Sequence, residues 1–188
     1  MNYKDYQNAR NLSWNILIQE NITELPINIV ALCKQLGIEV KYYIPSDDSD
    51  GECTIAEGVP YILVNKNCST QRKRFTVTHE LGHVLLGHVG KYQLVNREPS
   101  PTDNAIEQEA NVFASRLLAP ACVLWGCKVK TPDDIVQLCD ISKQSAEYRM
   151  NRMNELYTRN KFLTSSLERQ VYNQFKEFIS NHQHPANS

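Results

Sequence analysis

The sequence predicts an α+β fold in which helices dominate and three short strands lie together in the first half of the chain. Across most of the 188 residues, apolar side chains recur at intervals of three and four, the period of an amphipathic helix. Between residues 38 and 64 the pattern changes to short runs rich in β-forming residues, separated by turn residues. Because 41% of the residues are hydrophobic, a chain of this length can bury a core of its own.

The first predicted elements are two helices followed by the three strands. The helices cover residues 6–20 and 26–36, and Pro26 and Gly37 are the expected start and stop of the second one. The predicted strands cover residues 38–43, 53–57 and 60–64, and the last two form a hairpin that turns at Gly58.

The second half of the chain is predicted to be helical. Long helices are expected over residues 69–86 and 103–118, with a polar loop over residues 89–102 between them and Pro120 closing the second. Beyond Pro120 the predicted elements are helices over residues 133–138, 143–156 and 167–179, followed by a frayed end over residues 182–188. We therefore expect a first domain at residues 1–120 and a helical C-terminal extension at residues 121–188.

Composition favours a cytoplasmic protein that binds neither membranes nor nucleic acids directly. Twenty basic and 21 acidic side chains leave a net charge of −1, which supplies no electrostatic drive toward a phosphate backbone. No apolar run approaches the roughly 20 residues of a membrane span, and the N-terminus lacks the pattern of a signal peptide. The six cysteines form no Cys-x-x-Cys pair, so we expect reduced and mostly buried thiols.

The chemistry is indicated by the segment HELGH, residues 79–83, which fits the pattern His-Glu-x-x-His. Residues four apart lie about 40° apart around a helix, so His79 and His83 leave the same side and can bind one metal ion. The surrounding helix is apolar nearly all round, and burying these groups without a partner would be costly. A core helix whose histidines bond only to carbonyls or carboxylates is the alternative. The complete motif favours a metal, and we expect zinc.

Catalytic zinc needs a third protein ligand, which we expect on the next helix. Glu107 lies on the edge of the apolar stripe of that helix, whereas Glu109 points roughly 160° away and is the alternative ligand. Asn111 follows one turn after Glu107, where it can hold a zinc-bound histidine through the other ring nitrogen. Nine residues beyond His79, His88 falls about 180° around the helix, so we do not expect it to be a ligand.

Glu80 is the expected general base. Zinc lowers the pKa of a bound water to roughly 7, and Glu80, about 100° around the helix from His79, can reach that water without binding the metal. It would take the proton of the water and pass it to the leaving amine. A further donor usually stabilises the oxyanion, and the candidates, among which the sequence does not choose, are Tyr92, His88, Tyr148 and Arg149.

Two segments resemble the ImmA/IrrE family of metallopeptidases. Residues 74–88, RFTVTHELGHVLLGH, resemble its core signature, and residues 107–120, EQEANVFASRLLAP, are similar to its second one, with Ala119 where methionine is often found. The resemblance covers about residues 5–160. It implies a zincin-like α+β domain in which a small antiparallel or mixed sheet packs on the metal-bearing helices. It also implies a zinc endopeptidase that cleaves a cytoplasmic helix-turn-helix repressor, an anti-repressor of the kind associated with prophages, mobile elements or stress responses.

Two other functions stay open. The protein could be a zinc-stabilised regulator that binds and sequesters a partner without proteolysis, in which case Glu80 would not be needed. The helices predicted over residues 133–138 and 143–156 also resemble a helix-turn-helix, which could read DNA through the second helix. No basic excess marks this segment, so we favour a helical cap packed on the catalytic domain.

Overall fold

The computed structural model describes residues 2–89 and 105–183 and confirms the α+β fold. The helices and strands are α1 (Tyr3–Gln19), α2 (Ile29–Gln35), β1 (Glu39–Tyr43), β2 (Gly51–Ala56), β3 (Val59–Asn65), α3 (Thr70–Leu85), α4 (Ala105–Leu118), α5 (Ala121–Gly126), α6 (Pro132–Cys139), α7 (Lys143–Thr158), α8 (Ser166–Gln174) and α9 (Lys176–Asn181). The chain divides into two compact units, one of Met1–Arg10 with Asn28–Ala114 and one of Asn11–Ile27 with Ser115–Ser188. The predicted domain boundary at residue 120 stays a prediction.

The first unit contains a mixed three-stranded sheet in the order β1-β3-β2. The central strand β3 pairs in parallel with β1 and antiparallel with β2. The hairpin predicted at Gly58 is confirmed, since Ala56 pairs with Val59 across a two-residue turn. Glu57 and Gly58 both have positive φ, 52° and 80°, which is the geometry that suits the twist of two strands joined so tightly.

The core of this unit lies between the sheet and its helices. β2 and β3 both contact α3, and α2 contacts β1 and α3. The side chains that fill this core are Ile29, Leu32, Cys33, Ile38, Ile62, Val64, Val77, Leu81, Ala110, Phe113 and Ala114.

The second unit contains helices α5–α9 and has buried apolar side chains of its own. The predicted helix pair is present as α6 and α7. Asp140, whose φ is +49°, ends α6. Ser142 caps the start of α7, because its side chain accepts a hydrogen bond from the Ser145 amide. The fully buried larger side chains of this unit are Leu17, Leu117, Leu118, Leu124, Ile135, Met153 and Phe175.

The second helix, the segment after Pro120 and the final helix differ from the prediction. The second helix begins at Ile29 instead of Pro26, because the Asn28 side chain accepts a hydrogen bond from the Ala31 amide at 3.1 Å and caps the helix there. α5, which starts directly after Pro120, was not expected, and the predicted final helix is divided at Phe175 into α8 and α9. Most of the loop predicted over residues 89–102 and the first residues of the helix predicted over 103–118 lie outside the described residues.

All six cysteines are free, and four of them are buried, as expected for reduced thiols. Among the described residues, no helix is both long enough and apolar enough to cross a membrane.

Candidate metal centre

The HELGH segment lies in the C-terminal half of α3, the helix that packs against the sheet. Ser69 caps its start by accepting a hydrogen bond from the Arg72 amide at 3.3 Å. Val77 and Leu81 are buried, which orients the helix and fixes the directions in which His79 and His83 leave it.

The structure brings the side chains of His79, His83 and Glu107 together. His79 Nε2 lies 3.0 Å from His83 Nε2 and 3.1 Å from Glu107 Oε2, and His83 Nε2 lies 3.3 Å from Glu107 Oε1. Among the residues that the structure describes, these three form the group of side chains whose ligand atoms converge closely enough to hold a metal ion. Two turns of α3 and the first turn of α4 therefore build the site.

This arrangement fits a tetrahedral metal. Three atoms bound at 2.0–2.1 Å in tetrahedral geometry lie about 3.3 Å from one another, close to the observed separations. Asn111 Oδ1 lies 3.0 Å from His79 Nδ1, so this ring nitrogen donates a proton, and in the neutral ring Nε2 presents a lone pair. That lone pair points toward the Glu107 carboxylate and the second imidazole, and a cation between them satisfies all three.

The proximity of these side chains shifts the pKa values of His79 and Glu107. Burial lowers the pKa of His79, but the hydrogen bond with Glu107 and the charges of Glu80 and Glu107 outweigh it, so this pKa lies above its usual value. Hydrogen bonds with His79 and His83 hold the pKa of Glu107 well below its usual range. Glu107 is therefore a carboxylate at neutral pH, which is the form that binds a metal.

Glu80 lies on α3 beside strand β2. A Cβ added at Gly51 would lie 2.6 Å from Thr76 Cγ2, so the strand runs directly against the helix there. Side chains alternate along a strand, so the next side chain of β2 on the face of Gly51 is that of Cys53. Glu80 follows Thr76 by about one helical turn, so Cys53 lies toward Glu80. Burial raises the pKa of the Cys53 thiol, and the charge of Glu80 and a hydrogen bond with it raise this pKa further.

Sequence reasoning missed Cys53. The alternation of the predicted strand was the available signal, but the packing of the strand on α3 could not be read from it.

Glu109, the alternative ligand, is not one of the three residues whose ligand atoms converge. Its Oε2 is 3.7 Å from His88 Nε2, and burial and the negative charge of Asp5 raise its pKa. His88 itself contacts His83, with 3.1 Å between the two Nδ1 atoms. It does not point 180° away from the site, because α3 ends at Leu85 and the helical projection no longer applies at residue 88.

Two of the other oxyanion candidates lie on α7. Tyr148 is 70% exposed on α7, and Arg149 is buried, with its Nε donating to the Ala119 carbonyl at 2.7 Å. Tyr92 lies outside the described residues.

The model of a peptidase family, described as the IrrE N-terminal-like domain, matches residues 33–151. This match spans more than half of the chain and contains the sheet, α3 and α4. A search of curated proteins found no match.

Proposed function

Since this chain belongs to the IrrE N-terminal-like peptidase family and is a metallopeptidase, we propose that it is a zinc-dependent endopeptidase that cleaves a helix-turn-helix repressor in the cytoplasm. The observation that carries the proposal is the convergence of His79, His83 and Glu107, with Glu80 on the same helix. The repressor as substrate is supported by the resemblance of the two sequence signatures to ImmA/IrrE proteins. Free cysteines are typical of a reducing compartment, which supports the cytoplasm.

Zinc is favoured over magnesium and calcium by the donor set. Two imidazoles and one carboxylate are typical of catalytic zinc, whereas magnesium and calcium prefer all-oxygen sites. We assign His79, His83 and Glu107 as the ligands and Asn111 as the residue that orients His79. When bound, zinc supplies Lewis acidity, since it lowers the pKa of a bound water to about 7 and polarises a carbonyl oxygen.

Glu80 performs the proton transfers. Its carboxylate accepts a proton from the water that attacks the scissile carbonyl carbon. It then donates this proton to the amide nitrogen, so that the carbon–nitrogen bond breaks and the new N-terminus leaves as a neutral amine. The Cys53 thiol, which stays protonated, can donate a hydrogen bond to one oxygen of Glu80 and leave the other oxygen to accept the proton.

A variant of Glu80 tests the activity. We expect Glu80→Gln to slow cleavage by about 10²-fold or more, since general acid–base catalysis typically contributes 10²–10⁴-fold, while zinc content stays near that of the wild type. The substrates are a panel of helix-turn-helix repressors from the same genome, and fragments are identified by mass spectrometry. Glu57→Gln, a carboxylate-to-amide change in the exposed β2–β3 turn, is the matched control.

The outcomes separate the proposed peptidase from the regulator that only sequesters a partner. Cleavage by Glu80→Gln at the wild-type rate would contradict the proposed mechanism. Tight binding of a repressor by the wild type and by Glu80→Gln, with no cleavage by either, would favour sequestration.

Direct DNA reading by α7 is not part of the proposal. Of the basic residues at this helix, Arg149 is 3% exposed, and Lys143 Nζ pairs with Asp133 Oδ1 at 3.3 Å. We propose instead that residues 121–188 are a structural helical extension.

A further inference from the structure

We propose that His88 and Glu109 are positioning residues that hold the metal-binding ring of His83 in its binding orientation and tautomer. This inference rests on the proposed metal site, because it concerns how that site is held. It gives His83 a support that corresponds to the one Asn111 gives His79.

The chain reversal at the end of α3 brings His88 to this place. Gly87 has a φ of +72°, a conformation that costs glycine little and other residues considerably more. The Gly87 amide donates to the Val84 carbonyl at 3.2 Å, and the His88 amide donates to the His83 carbonyl at 2.9 Å. These two bonds form a Schellman motif, which ends the helix and folds His88 back over His83.

The side chains of these two histidines then meet edge to face. Their ring centroids are 5.1 Å apart at an interplanar angle of 66°, and the two Nδ1 atoms are 3.1 Å apart. The other nitrogen of His88, Nε2, lies 3.7 Å from Glu109 Oε2. The side chains of His88 and Glu109 are only 10% and 18% exposed, so water competes little for these contacts.

The charges and the hydrogen-bonding atoms of Glu109, His88 and His83 determine which ring nitrogens carry protons. The negative charge of Glu109, 3.7 Å from His88 Nε2, favours the tautomer that carries the proton on this nitrogen. In neutral His88, Nδ1 then has the lone pair, and His83 Nδ1 must be the donor across the 3.1 Å contact. His83 Nε2 is consequently left with a lone pair directed toward Glu107 and the metal position.

Both ligand histidines are thereby held in the same way. Asn111 from α4 fixes the tautomer of His79, and His88, backed by Glu109 from α4, fixes that of His83. Partners of this kind typically change metal affinity by 10–100-fold when they are removed.

The experiment measures zinc affinity and the protons of the ligand histidines. His88→Phe keeps an aromatic ring and removes both nitrogens, whereas Glu109→Gln keeps the shape and removes the charge. Zinc affinity is measured by competition with a chelator. In the Co²⁺-substituted protein, proton NMR detects the paramagnetically shifted Nδ1–H signals of metal-bound histidines. Glu57→Gln is the control for a carboxylate lost outside the site.

We expect His88→Phe to weaken zinc binding by about 10–100-fold and Glu109→Gln to weaken it less. The wild type should show two shifted Nδ1–H signals, and in His88→Phe one of them should be lost to exchange with water. The double variant should bind zinc no more weakly than His88→Phe alone, because Glu109 acts through His88. If His88→Phe does not fold, the inference is tested with Glu109→Gln alone. The rate at which the same Nδ1–H signal exchanges with water is then compared between this variant and the wild type.

Unchanged zinc affinity and two retained Nδ1–H signals in His88→Phe would overturn the inference while leaving the metal site intact. Failure of the wild type itself to bind zinc would instead contradict the proposed function, so the two failures are distinguishable.

Discussion

At the residue scale, Asp50 shows how one ion pair fixes the strand beside the general base. Asp50 precedes β2, and its Oδ2 accepts a hydrogen bond from Arg72 Nε of α3 at 2.7 Å. The Cys68 thiol donates to the other oxygen at 3.3 Å. Burial raises the pKa of Asp50, but the hydrogen bonds from Arg72 and Cys68 and the charge of Arg72 together lower it below its usual value. The start of β2 is therefore held against α3, three residues before Cys53.

We expect Asp50→Asn to reduce the free energy of unfolding by about 0.5–1 kcal/mol at pH 7, since solvent screens this partly exposed pair. The pKa of Asp50 is lower in the folded than in the unfolded state, so its contribution is fully present above the unfolded pKa of about 4. The difference between variant and wild type should shrink as the pH falls through the folded pKa. Urea unfolding between pH 7 and pH 2.5 measures it. Asp48→Asn, in the same loop, is the control, and an equal loss of stability in both variants would contradict the argument.

At the scale of elements, the site depends on how closely α3 and α4 approach. Gly82 lies between the two ligand histidines, and a Cβ placed there would be 3.0 Å from Phe113 Cδ1 and 3.3 Å from the Ala110 Cα. The absence of a side chain at residue 82 therefore allows the backbones of the two helices to come together. Glu107 lies one turn before Ala110 on α4, so the same approach brings its carboxylate to the histidines.

A graded series at Gly82 tests this packing. Gly82→Ala should be close to neutral, because the crowding against Phe113 is offset by a gain in helix propensity of about 1 kcal/mol. Gly82→Val should reduce the free energy of unfolding by about 1–3 kcal/mol and weaken zinc binding, because its extra methyl groups push α4 away. Thermal unfolding of the metal-free proteins and zinc titration measure the two effects. Wild-type zinc affinity in Gly82→Val would show that the site tolerates separation of the helices.

At the scale of the whole molecule, the proposed ligands all belong to one of the two compact units. His79, His83 and Glu107 lie in the unit formed by Met1–Arg10 and Asn28–Ala114. A ligand that binds only the folded state stabilises it by mass action, so zinc is expected to stabilise the unit that holds these residues.

We expect zinc at about 100 times its Kd to add roughly 2.7 kcal/mol and to raise Tm by about 5–10 °C, and a chelator to reverse this shift. Differential scanning calorimetry measures the shift, and elemental analysis should find about one zinc per chain. His79→Ala should abolish both effects. Zinc-dependent stabilisation that persists in His79→Ala would place the metal elsewhere.

Much of the candidate site follows from local periodicity, which a sequence displays directly. The HELGH spacing places His79 and His83 on one face of any helix, and the apolar stripe of α4 separates the directions of Glu107 and Glu109. The hairpin at Gly58 was predictable for the same reason, because a two-residue turn depends on the residues within it. Such features need only the geometry of a single element.

Only the tertiary structure decided what lies between elements. The parallel pairing of β1 with β3, the packing of β2 on α3 and the position of Cys53 beside Glu80 depend on contacts between segments far apart in sequence. For His88, the local pattern alone led to a wrong position. Its projection as a helical residue was wrong, because Gly87 reverses the chain one residue earlier. The sequence by itself determined which side chains could bind a metal. The packing of α3 against α4, which no local pattern encodes, decided which of them converge and which hold the others in place.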